Sequence, residues 1–143
     1  MLLDDGYPTA IFHPCDEASV SRVSVAEQTT SASAAGPSLG WSVADVATHP
    51  ERPITQIRLL ETPPDWDLQT TKPGSLLTAF AVDRTYNVWG KTNSDAGTPA
   101  HVQFTLGDLR SLSDGEVWAM PKPYAAPQAM TREEFRRHAA ASC

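Results

Sequence analysis

The sequence predicts a mostly β fold: a single antiparallel β-sandwich or barrel-like domain, a Pro-rich extended C-terminal arm and a short C-terminal helix. Three observations lead there. Short stretches that alternate apolar and polar residues recur between turn-forming dipeptides. Twelve prolines in 143 residues favour extended segments over helix interiors. Only the last dozen residues carry a complete helix start. Four Trp, three Tyr and four Phe are more aromatics than a disordered chain holds, and the length suits one domain with a core of its own.

Taken in order, residues 9–12 form an apolar run between Pro8 and Pro14, a short strand. Residues 19–27 form a second. Val23 and Val25 share one face while Val20 falls on the other, which predicts a bulge near Val20. Residues 28–38 are small and polar, a low-complexity loop with little to bury. Residues 41–47 alternate poorly and are expected to make a short helical turn before Pro50. In residues 54–61, Thr55, Ile57 and Leu59 alternate with Gln56 and Arg58, a half-buried strand that Pro63-Pro64 ends.

Lys72-Pro73-Gly74-Ser75 reads as a type II turn, with Pro at the second position and Gly where φ must be positive. Residues 76–82 follow, apolar on both faces, and are expected to form a central strand returning through residues 86–89 as a hairpin. Residues 93–99 are a loop by composition. Residues 101–106 place Val102, Phe104 and Leu106 on one face of a strand, and Asp114-Gly115 turns the chain into a strand over 117–120.

The β domain is thus assigned to residues 1–120 and the arm with its terminal helix to 121–143. Pro121, Pro123 and Pro127 keep the arm extended. Thr131 is then the N-cap of a helix and Glu134 completes a capping box, with Met130 and Phe135 as the hydrophobic staple. Glu133 and Glu134 lie at the positive end of the helix dipole and Arg136, Arg137 and His138 toward the negative end. An isolated helix this short is marginal in water, so Phe135 must dock on something.

Composition excludes several functions. Eleven basic against seventeen acidic residues give a net charge of −6, and the arginines Arg132, Arg136 and Arg137 are mixed with Glu133 and Glu134. That balance argues against nucleic acid as a partner. No apolar stretch is long enough to span a bilayer and the N-terminus has no signal-peptide pattern, so a cytoplasmic or virion location is expected. Cys15 and Cys143 form no framework; one disulfide between them is an open alternative, and free thiols in a reducing compartment are the favoured expectation.

No motif carries chemistry. His13, Cys15 and the acids beside it resemble half a zinc site, completed only if His101 or His49 came close. There is no nucleophile elbow, no Gly-rich phosphate loop and no papain-like context for Cys15. An enzyme would have to use His13, Cys15, His101 or Asp83. No catalytic residue, metal or other cofactor is assigned. Asp65 and Asp67 flank Trp66 in a proline-led loop, which suggests exposure of the indole. Trp89 and Trp118 end strands, where an aromatic either packs in the core or stacks on a ligand.

The expected function is therefore a non-enzymatic structural or interaction subunit of a larger protein assembly, self or hetero. Its interface would comprise Trp66, Pro121, Pro123, Met130, Phe135 and Arg136, because a proline-extended arm ending in a stapled helix suits a neighbouring subunit. Bacteriophage virion components of the capsid-decoration or connector type are often built this way, an analogy of architecture alone. The alternatives are a carbohydrate- or small-ligand-binding module using Trp66, Trp89 or Trp118, and a small enzyme with an unrecognised site.

Overall fold

A two-residue Asp-Gly turn opens the chain and sets the first of three antiparallel sheets. Asp5 (φ 49°) and Gly6 (φ 81°) both occupy the left-handed region, the conformation that joins strands in a type I′ hairpin. In the computed structural model this turn links β1 (Leu2–Asp4) to β2 (Tyr7–Ile11), and β2 also pairs with β5 (Gln56–Arg58). The structure describes residues 1–13, 15, 19–28, 38–45, 55–70, 72–92 and 101–143. The sequence-assigned loop at 93–99, most of that at 28–38, and His49 therefore lie outside the described residues.

The largest sheet has five strands in the order β6-β4-β3-β7-β8. They are β3 (Val20–Glu27), β4 (Gly40–Asp45), β6 (Trp66–Leu68), β7 (Thr85–Thr92) and β8 (His101–Thr105). A register shift between Val20 and Arg22 puts the bulge where the valine pattern predicts it. Val23, Val25, Trp41, Val43, Tyr86, Val88 and Phe104 point inward from this sheet. They share one core with Met1, Ala10 and Ile57 from the three-stranded side, so two sheets enclose one apolar layer.

Residues 41–45 are strand rather than helical turn, because Trp41 and Val43 lie opposite Val25 and Val23 in the ladder and are buried with them. Residues 76–82 are not a central strand. Leu76 makes one parallel bridge to Gly40, after which the chain packs by side chains: Phe80 meets Tyr86 edge-on at 4.8 Å and the Ala81 N–H donates to the Tyr86 hydroxyl at 2.8 Å. Leu77 is buried without a ladder, whereas Thr78, Ala79, Ala81 and Val82 are exposed, Val82 at 65%. The Lys72–Ser75 turn has the expected form, with Gly74 at φ 76° and a 3.2 Å bond from the Ser75 N–H to the Lys72 carbonyl.

The C-terminal segment is not an arm. β9 (Glu116–Ala119) pairs with β10 (Gln128–Thr131), placing Met130 opposite Val117. Met1 joins the other edge of β9, exchanging backbone hydrogen bonds with Trp118 at 2.8 and 2.9 Å. A second cluster of Leu2, Val117, Ala119 and Met130, with Ile11 and Phe135 against it, fills the space between. The division at residue 120 thus falls inside one two-stranded sheet.

Two helices complete the chain, α1 (Leu106–Arg110) and α2 (Arg132–Ala141), each begun by a reciprocal capping box, Thr105 with Asp108 and Thr131 with Glu134. The two bonds Thr131 makes to the Glu134 carboxylate hold its pKa below the usual value.

Gly90 fixes the fit between the sheets. A Cβ at this position would lie 2.4 Å from Cε1 of Phe12, inside the contact limit for carbon atoms. Gly90→Ala is expected to lower stability by about 1–3 kcal/mol through overpacking, measured as a reduced urea midpoint with an unchanged slope. Phe12→Leu should recover part of that loss in the double variant.

Candidate functional site

The outer face of the five-stranded sheet carries the site. Alternation along β7 sends Tyr86 and Val88 into the core and leaves Asn87 and Trp89 on the opposite face. The register then sets Trp89 opposite His101 on β8 and Ser24 on β3, and Asn87 opposite Gln103 and Ala26. Ser24 and Ala26 are small, so the side of Trp89 and Asn87 facing β3 has no bulky neighbour. An open groove of about 500 Å³ lies on this face, lined among the described residues by Gln28, Asn87, Trp89, His101 and Gln103.

Several bonds hold its floor. The Gln28 N–H donates to the Thr85 carbonyl at 2.8 Å, and the Gln28 and Gln103 side-chain amides bond to each other. The Trp118 indole N–H reaches the Gln103 carbonyl at 2.9 Å, fixing β8 from the side of β9. Ser24 and Ser42 share a hydroxyl hydrogen bond of 2.7 Å on the same face.

Among the described lining residues, three are carboxamides and none is a carboxylate, Lys or Arg. The carboxamides each offer donors and an acceptor, and Trp89, half-buried, supplies the largest aromatic surface among these five. His101 is the one titratable group among the five lining residues, with neither carboxylate nor nucleophile beside it there. The arrangement can bind, but it does not assemble an acid–base pair. Just beyond, Arg22 and Lys91 face each other across β3 and β7. Both are exposed, and neither has an ion-pair partner among the described residues.

No family model, curated protein or solved structure matches this chain.

The residues singled out in the sequence are dispersed. Trp66 is core, only 7% exposed, which corrects its expected exposure. Pro64 and Asp65 (φ 63°) form a turn closed by the Trp66 N–H on the Pro63 carbonyl at 3.2 Å. That turn swings the indole to the inner side of β6. Met130 is buried and Phe135 half-buried within their own chain, while Arg136 and Pro123 are exposed and Pro121 is half-buried.

Cys15 is bonded to Cys143 with Cα atoms 5.5 Å apart, which corrects the expectation of free thiols and takes the Cys15 sulfur away from any metal. A separation of 128 residues left no local spacing by which to read the pair. His13 and Asp83 are exposed and do not line the groove. No helix among the described residues is long and apolar enough to cross a membrane.

Trp89 and His101 were both visible as candidates. Their juxtaposition was not, because it depends on the β7–β8 register. Gln28, Asn87 and Gln103 were missed, since an isolated amide has no signature until a sheet gathers several on one face.

Proposed function

We infer that this chain is a non-catalytic recognition module that takes a carbohydrate or other small polar ligand on the outer face of its five-stranded sheet. The observation that carries this is the set of three carboxamides, Gln28, Asn87 and Gln103, gathered around Trp89 and His101. A ring stacked on the indole gains dispersion and apolar burial, while amides that both donate and accept suit hydroxyl groups. A saturation-transfer NMR screen of sugars, nucleosides and polar metabolites, run on the native chain and on Trp89→Ala, tests it. Binders that weaken about tenfold or more in the variant are expected. A library without binders, or binders indifferent to Trp89, would contradict it.

A role as a subunit in a protein assembly, a virion component included, now has different support from the arm that suggested it, because Met130 and Phe135 find their berth at home. What favours it is Tyr124, 87% exposed at φ 64° in the turn after Pro123. A large exposed aromatic held in a constrained backbone suits an interface anchor. The Cys15–Cys143 bond further supports an oxidising compartment over a reducing cytosol.

A further inference from the structure

We propose that the ligand of the Trp89 face is an acidic glycan, with one sugar ring stacked on Trp89 and a carboxylate held by Arg22 and Lys91; this rests on the recognition role inferred above. Lys91 stands two residues beyond Trp89 on β7, hence on the same face and about 7 Å further along the strand. Arg22 is its cross-strand partner. Two like charges directly opposite each other destabilise a ladder, and these two have no acidic partner among the described residues. An anion between them removes the repulsion and gains charge-assisted hydrogen bonds.

The lining narrows the class further. None of the five groove residues is Asp or Glu, which disfavours a cationic ligand, and a single indole is not the aromatic cage that a quaternary ammonium needs. Arg22 and Lys91 lie outside the groove lining, so a ligand that reaches them from Trp89 is longer than a single ring. A polynucleotide also offers rings and anions. It carries at most one free hydroxyl per residue, however, and leaves the three carboxamides short of the hydroxyl partners they suit. A uronate-bearing oligosaccharide spaces its carboxylates among hydroxyls that the carboxamides bind.

Isothermal titration of the full chain tests this with oligogalacturonate, a hyaluronate oligosaccharide, the carboxyl-reduced form of each, and an oligouridylate of equal length. At least one uronate oligosaccharide is expected to bind. Trp89→Ala should weaken it about tenfold or more, Trp89→Phe less, and the Arg22→Gln/Lys91→Gln pair by about tenfold. Raising salt should weaken the native chain and barely affect the double variant. Because Arg22 and Lys91 are exposed, that variant keeps the fold, which its unchanged melting checks.

Equal binding of the carboxyl-reduced sugars would overturn the acidic assignment and leave the Trp89 site standing. Tighter binding of oligouridylate, or uronate binding untouched by all the variants, would overturn it too. Failure of both uronates while other library compounds respond to Trp89→Ala would sink only the glycan class. Failure of both together with a silent library would sink the recognition role as well.

Discussion

Replacing both cysteines by serine, or reducing the native protein, is expected to lower its stability by about 2–4 kcal/mol and its melting temperature by roughly 5–15 °C. The Cys15–Cys143 bond closes a span of 128 residues, so it constrains nearly the whole unfolded chain. It also anchors α2. That helix has no fully buried residue, and its apolar contact is the half-buried Phe135 against the second cluster. Once the bond is cut, the C-terminal turn of α2 should lose amide-exchange protection before β3 and β7 do. A melting temperature unmoved by reduction would mean that the two ends are not joined.

The second large effect depends on pH. The Met1 amine is buried beside β9, where it donates to the Trp118 carbonyl, and burial lowers its pKa from 8.0 to about 5. The unfolded chain therefore takes up this proton below pH 8, and the folded chain only below about 5. Between those values the unfolded state binds more protons, so stability falls as pH falls, by up to 1.4 kcal/mol per pH unit and about 4 kcal/mol in all. The contribution is complete above pH 8 and gone below 5. Carboxylates titrate mainly below this window. Urea unfolding at pH 8.5, 7, 6 and 5 checks the slope, and a flat profile would show that the amine is solvated.

Local signals in the sequence transferred well wherever structure is local. The capping box at Thr131 and Glu134, the turn at Gly74 and the bulge near Val20 each depend on a few adjacent residues, and each stands where its residues put it. Two equally local signals went unread. Asp5-Gly6 is a hairpin turn, and Thr105 with Asp108 is a capping box for α1.

Non-local pairing was out of reach. Asp114-Gly115 does turn the chain, but the strand after it joins β10 and Met1 rather than the strand before it. Apolar residues on both faces of 76–82 suggested a covered strand, yet Leu77 packs without a ladder and Val82 stays exposed. The berth of Phe135 follows the same pattern. Its need to dock was legible in the helix, whereas the surface that receives it comes from Leu2, Val117 and Ala119, distant in sequence.

The site follows suit. Residue types at Trp89 and His101 drew attention, yet a flat sheet face becomes a ligand platform only through register. Ser24 and Ala26 on β3, opposite Trp89 and Asn87, set no large side chain against them. None of those four positions is informative alone.

The indole region of a ¹H–¹⁵N spectrum reports on the Trp89 face directly, since each of the four tryptophans gives one Nε1–H signal. With oligogalacturonate or any compound from the library screen added to saturation, the Trp89 signal should shift strongly. Those of the buried Trp41 and Trp66 should stay in place. A shift confined to Trp118, or none at all in the presence of bound ligand, would place recognition elsewhere on the molecule.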